Sequence, residues 1–164
     1  MVMKEAHKIE IINYEDRFAL DFKSISLDWF ESNFFKEHFS VEDIDRMVIS
    51  NPSKYIIEKG GHIFFARLGE KIVGTAALIN SEDSSFELSK VGVLQVYRGL
   101  KISDDLIKSA IIYSKVQGKK TLWLESIRIL KPALAVFKKY GFKEVPLNPE
   151  SHYARADIKM ELIL

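Results

Sequence analysis

The sequence has no cysteine among its 164 residues, which excludes disulfides, thiolate metal sites and a cysteine nucleophile together. It has no internal repeat, no low-complexity segment and no Pro/Gly/Ser-rich linker, which predicts a single domain over residues 1–164. No apolar run approaches the roughly 20 residues that span a bilayer, so no membrane is expected as a partner. Charge of one sign is lacking too. Lys and Arg number 24 against 23 Asp and Glu, a formal charge of +1, which gives no reason to expect nucleic acid or an anionic surface as partner. The four histidines, His7, His38, His62 and His152, stand apart without metal-ligand spacing, so no metal is expected. The first ten residues carry Lys4, Glu5, Lys8 and Glu10 and no apolar segment, unlike a secretory leader; together with the missing cysteines this predicts a cytoplasmic protein.

The composition, 47% hydrophobic and 29% charged, is that of a globular chain. Lys8–Asn13 reads as a first strand. Phe18, Phe22, Ile25 and Trp29 recur at spacings of four, three and four, which predicts a helix with one buried face. Ser40 and Asp43 have capping-box spacing for a second helix, striped by Ile44, Met47 and Val48 and ending before Asn51-Pro52. Ile63–Leu68 and Lys71–Ile79, joined by Gly69-Glu70, predict a hairpin. A strand over Phe86–Leu94 follows. A helix carrying Leu106, Ile107, Ala110, Ile111 and Val116 then ends near Gly118, and a strand covers Thr121–Glu125. Ala133, Val136, Phe137 and Tyr140 mark a last helix, with Pro132 in its first turn and Gly141 at its end. Phe142–Val145 and Ala156–Leu162 read as closing strands. The order βααβββαβαββ predicts one α/β domain, a mixed sheet flanked by helices, a pattern compatible with many functions.

The passage that bears on chemistry is Val91-Gly-Val-Leu-Gln-Val-Tyr-Arg-Gly-Leu-Lys-Ile-Ser103, which runs from a strand through a turn into a helix. Unpaired N–H groups and the helix dipole make such a junction an anion site. Gly99 permits close backbone approach, and Arg98 and Lys101 add positive charge. The alternative is a plain strand-to-helix loop with Ser103 as N-cap.

Arg98-Gly-Leu-Lys-Ile-Ser103 resembles the cofactor motif Gln/Arg-x-x-Gly-x-Gly/Ala of the GNAT N-acetyltransferase superfamily, in the right element order. Ala133-Leu-Ala-Val-Phe-Lys-Lys-Tyr-Gly141-Phe142 is similar to the family's second signature, Ala-x-x-Leu-Tyr-x-x-x-Gly-Phe, on the helix before the sixth strand. A looser likeness to a bacterial subgroup rests on Leu124-Glu-Ser126, Leu130 and Tyr153-x-Arg155-x-Asp-Ile-x-Met160. The resemblance covers nearly the whole chain. It implies a GNAT-like (acyl-CoA N-acyltransferase) fold with a mixed, mostly antiparallel central sheet. The implied activity is acetyl-CoA-dependent transfer to a primary amine of a small molecule or protein; the alternative is a non-catalytic acyl-CoA-binding or sensor domain of the same fold. A homodimer is among the assemblies it allows.

On the same resemblance, Val91 and Val93 would pair with the pantetheine arm, and an N–H near Val93 would polarise the acetyl carbonyl. Arg98, Gly99, Leu100, Lys101, Ile102 and Ser103 would cradle the pyrophosphate, and Ser126 and Phe137 would meet the cofactor. Glu87, eleven residues before Arg98 as in histone-acetylating members, is the candidate general base, on the strand face expected to hold Ser89, Val91 and Val93. Its alternative is a solvent-facing carboxylate. Tyr153 is the candidate acid or else a rim residue, and Trp29 and Phe34 are candidate acceptor-pocket walls or core. Arg155 would bind an acceptor carboxylate or pair with Asp157 or another surface acid. Three departures from the pattern stand out. Lys101 replaces the central glycine and Ser103 the final small residue. Phe137 stands where the family usually has the tyrosine thought to protonate the CoA thiolate. Asp104 and Asp105 follow in the first helical turn, where they suit the dipole but repel phosphate.

Overall fold

Ile72 to Leu78 are buried without a break, the pattern of a strand covered on both faces rather than one. In the computed structural model, which describes residues 8–151 and 153–164, this run is the middle of the sheet; His7, His152 and the first seven residues lie outside the described part. The elements are β1 (Ile9–Asn13), α1 (Ala19–Phe30), α2 (Asn33–His38), α3 (Asp43–Ser50), β2 (His62–Leu68), β3 (Lys71–Asn80), β4 (Ser85–Val93), α4 (Ile102–Val116), β5 (Thr121–Ser126), α5 (Lys131–Lys139), β6 (Lys143–Val145) and β7 (Ile158–Ile163). The seven strands lie in the order β1-β2-β3-β4-β5-β7-β6. All neighbours are antiparallel except β4 and β5. The α/β class and mixed, mostly antiparallel sheet expected from the sequence are those observed.

Period-two alternation divides the side chains between two cores. Phe64, Ala66, Phe86 and Leu88 pack beneath α4 and α5, while Ile63, Phe65 and Ala77 pack beneath α1, α2 and α3. The helix α2 escapes a periodicity search because it has only six residues. Ser32 caps it, accepting from the Phe35 N–H at 3.2 Å, and Phe35 buries against Phe30 at 4.9 Å between ring centroids. The cap of α3 lies two residues beyond the expected Ser40/Asp43 pair. Glu42 is the N-cap residue, and its N–H donates to Asp45 Oδ2 at 3.1 Å.

Two irregularities open the sheet where the site lies. Thr75 faces Gly92 and Ala77 faces Ser89, so β4 carries one extra residue there. Lys90 sits in this bulge at φ +51°. Beside it, β4 and β5 pair only at Ser85–Thr121, Phe86–Leu122 and Glu87–Trp123, although β4 runs on to Val93 and β5 to Ser126.

At Gly61 a Cβ would collide with the Leu78 carbonyl oxygen and come within 2.8 Å of Ile56 Cγ2. Gly61→Ala is therefore expected to cost about 2 kcal/mol or more through overpacking against rigid backbone, read as a lower midpoint in urea unfolding. Gly99→Ala, where the space is open, should cost only the strain of its positive φ, about 1 kcal/mol.

Candidate active site

Where β4 and β5 part, two adjoining cavities of about 330 and 280 Å³ enter the gap, sharing Trp29, Val91, Ala133 and Phe137 in their walls. The larger is a cleft running from Val91 and Val93 to the turn before α4, with Val136 and Phe137 opposite. The Leu94 N–H donates to Val73 O on β3 at 2.9 Å. Strand alternation therefore turns the Val91 and Val93 N–H groups to the opposite, open edge. At the far end of the cleft, α4 starts with no side-chain cap and with Lys101 at φ +58°. Its first N–H groups are left for a ligand, at the positive end of the helix dipole. Ser103 lies inside the helix rather than capping it, so the plain N-cap alternative does not hold.

Lys101 adopts the left-handed backbone of the glycine it replaces, a strain of about 1 kcal/mol for a residue with a Cβ. Arg98 folds back, its Nε donating to Val93 O at 3.2 Å. Leu100 is 59% exposed and lies outside the cleft wall; only its backbone belongs to the turn. Asp104 is drawn into a tie between α4 and α5. Lys139 Nζ and the Tyr140 hydroxyl each reach its Oδ1 at 2.7 Å, and these bonds hold its carboxyl below the usual range. Its charge is therefore met on the protein rather than presented to an anion, against the repulsion expected from sequence.

The smaller cavity lies on the other side of the gap, walled by Trp29, Phe30, Leu124, Leu130 and Tyr153. Ser126 lines this cavity and not the cleft with the turn. Phe34 lines neither; it stacks on His38 at 4.6 Å and tilts against Trp29 at 5.9 Å, so it supports the wall from behind. Phe137 stands where the two cavities meet, a hydrocarbon edge with no hydroxyl to offer.

Behind this cavity is a buried ion cluster that the sequence did not announce. Arg155 reaches Asp45 through Nη1 at 2.7 Å and Nη2 at 3.1 Å, and Glu42 through Nη1 at 2.8 Å. Lys90 Nζ meets Asp45 at 2.9 Å. Arg155 thus pairs with Asp45 and Glu42. Asp157, its expected partner, instead accepts the Arg128 N–H. Burial alone would raise the Asp45 carboxyl, but Arg155 and Lys90 outweigh it and hold it below the ordinary range. Glu42 Oε1 also accepts the Ala154 N–H at 2.9 Å, tying the segment before β7 to α3. Asp45 and Arg155 are 110 residues apart, beyond any local pattern.

Glu87 is 4% exposed, so its solvent-facing alternative is wrong, and so is the face assigned to it. The extra residue at Lys90 breaks the alternation: Val91 and Val93 join the core under α4, while Gly92 turns to Ile25 of α1. Glu87 is left on the face of Ser89, behind the cavity. Burial drives its carboxyl up to about 7, with Lys90 opposing and Glu125 adding to the rise. Tyr153 is buried and raised as well, first by burial and then by Glu87. Of the described histidines, His38 bonds the Phe34 carbonyl and His62 bonds Asn13. Among the described residues no group of three or more His, Asp or Glu is placed to hold a metal.

Residues 22–142 match the sequence profile of the acetyltransferase (GNAT) family. The chain belongs to that family. It is 27% identical over 92 residues to a probable N-acetyltransferase, camello, of Xenopus tropicalis, a match covering 55% of this chain and 42% of that protein; the chain thus spans less than half of that relative. A GNAT-family acetyltransferase from Staphylococcus aureus has the same fold at TM-score 0.82 and 22% identity, covering 94% of this chain and 98% of the other. The PaiA N-acetyltransferase of Thermoplasma acidophilum, solved with coenzyme A, superposes at TM-score 0.68 and 18% identity over 96% and 99% of the two chains.

Two stability effects of opposite sign follow for this GNAT-family chain. Asp45→Asn leaves Lys90 and Arg155 with too little compensating charge and should cost about 3 kcal/mol in denaturant unfolding. Glu87 ionises near 4.5 when unfolded and at about 7 when folded, so its ionisation adds no cost at low pH and destabilises increasingly as pH rises through that window. Glu87→Gln should therefore gain on the parent by about 2 kcal/mol between roughly pH 5 and 8, measured as the difference between their unfolding free energies.

Proposed function

We propose that this chain is an N-acetyltransferase moving the acetyl group of acetyl-CoA to a primary amine. The observation that carries the proposal is the parting of β4 from β5 in line with the uncapped start of α4. One cleft thereby offers strand N–H groups at one end and an anion site at the other. The arrangement fits the cofactor. The N–H groups of Val91 and Val93 would pair with the pantetheine arm and polarise the carbonyl, and the turn from Arg98 to Ser103 would hold the pyrophosphate. Coenzyme A found with a neighbour of the same fold supports this use of the cleft. When bound, acetyl-CoA supplies the activated thioester.

The chain's own residues then manage the proton. An acceptor amine arrives protonated and must lose a proton before it attacks. Glu87, held at about 7, is matched to receive that proton at neutral pH. It lies behind Ser89 and Tyr153, which line the cavity, so the transfer runs through a hydroxyl or one water. Tyr153 is held above its ordinary phenol range and stays protonated. An alkyl thiolate is a weaker base than the phenolate of so raised a tyrosine and would draw little proton from it, which makes Tyr153 a positioning residue rather than the acid. With Phe137 inert as well, solvent reprotonates the thiolate.

The rival, an acyl-CoA-binding domain without catalysis, draws support from Phe137 and Lys101. Against it stands Glu87, since a carboxyl buried at a cost to stability beside the gap has no use in a binding module. Rates measured with acetyl-CoA and an amine panel test the choice. The parent kcat/KM should rise with pH through about 7, and Glu87→Gln should lower it by roughly 100-fold and abolish that rise while leaving CoA affinity unchanged. Tight CoA binding with no turnover on any amine would install the rival.

A further inference from the structure

Resting on the acyl-transfer proposal, we infer that the cavity between Trp29 and Tyr153 selects a small primary amine on an apolar body, its ammonium received by Glu125, and rejects amines that carry a carboxylate. The wall is hydrocarbon and aromatic: Trp29, Phe30, Leu124, Leu130 and Tyr153. Two cations also touch the cavity, Lys90 and Arg155, and the sequence offers Arg155 to an acceptor carboxylate. The structure uses them otherwise. Both terminal nitrogens of Arg155 are engaged by Asp45 and Glu42, and its planar face lies against Tyr153 at 5.0 Å and Phe30 at 5.7 Å. Lys90 is bonded to Asp45 and 7% exposed. Two acids and two bases thus close on each other, leaving no guanidinium fork for a substrate carboxylate.

Glu125 lines the same cavity, and among the described residues no cation pairs with it. Lys159, opposite it on β7, is turned over the Trp123 ring at 4.8 Å. Glu125 accepts the Ser151 hydroxyl, which fixes the carboxylate without cancelling its charge. Its field also reaches Glu87, so an ammonium held by Glu125 lies near the group proposed to take its proton. A carboxylate brought into the cavity would meet Glu125 while the cavity's described cations, Lys90 and Arg155, are already paired, and would lose hydration against an aromatic wall. A volume of about 280 Å³ suits a compact ligand.

The test uses matched pairs with saturating acetyl-CoA, such as 2-phenylethylamine against L-phenylalanine and n-butylamine against norvaline. The same amines are also bound to the protein–CoA complex and followed by tryptophan fluorescence. The uncarboxylated member of each pair should be favoured in kcat/KM by roughly 100-fold. Glu125→Gln should raise its KM about tenfold, with kcat changed less than about threefold, and narrow the preference. Ser151→Ala, which removes the hydroxyl but keeps the charge, should retain the preference and shows whether loop order alone is responsible. Equal or better turnover of the carboxylated members would overturn the inference and leave the transferase standing, as would turnover confined to a lysine-bearing peptide. Amine binding with the expected preference but no turnover would support the inference and remove the transferase. Absence of both binding and turnover with the uncarboxylated amines would overturn the inference.

Discussion

One extra residue in β4 organises the functional half of the molecule. At Lys90 the chain takes a left-handed backbone conformation, the register against β3 slips, and the strand continues with its faces exchanged. Val91 and Val93 then lie over α4 beside the cleft, and Lys90 itself is aimed at Asp45. Only three residue pairs join β4 to β5, so the bulge bends one strand away from its parallel neighbour where the ladder ends. The gap follows from backbone hydrogen bonding, because N–H groups that no longer find β5 must be met by something else. In the proposed function that partner is the cofactor arm.

The bulge residue also explains why the side of the gap walled by Trp29 and Tyr153 is held by charge. Removing two acids and two bases from water is expensive, and hydrophobic residues of equal volume would serve stability as well. The cluster does what apolar packing cannot: it fixes a guanidinium against two aromatic rings and ties the segment before β7 to α3 through Glu42. It leaves the cavity with hydrocarbon walls and a carboxylate not paired to a described cation, a polarity suited to ammonium groups. Glu87 lies in the same low-dielectric zone without a bonded partner among the described residues, and burial lifts it toward neutrality while Asp45, nearby and paired, is held low.

Much of the fold was legible because local physics writes it. Period-two runs marked β2 and β3, and the spacing of Phe18, Phe22, Ile25 and Trp29 marked α1. The strand-turn-helix passage from Val91 to Ser103 and the Ala133–Phe142 signature pointed to the GNAT family, and the match over residues 22–142 agrees. The differences have local causes as well. Ser40 and Asp43 have the same spacing as Glu42 and Asp45, so spacing alone points to a cap two residues before the true one. Alternation along β4 joins Glu87 to Val91 only if the strand is regular, and no residue in β4 signals the bulge that separates them.

The sequence by itself determined the strand order along the chain, every helix but α2, the family and the neighbourhood of the open cleft, since each rests on contacts within about ten residues or on a motif of fixed spacing. Tertiary structure alone decided the cavity between Trp29 and Tyr153. Whether Arg155 greets a substrate or an internal acid depends on Asp45, 110 residues away, and whether Glu87 titrates near 4.5 or near 7 depends on what covers it. Charge and burial act through space, and only the folded chain brings those partners together.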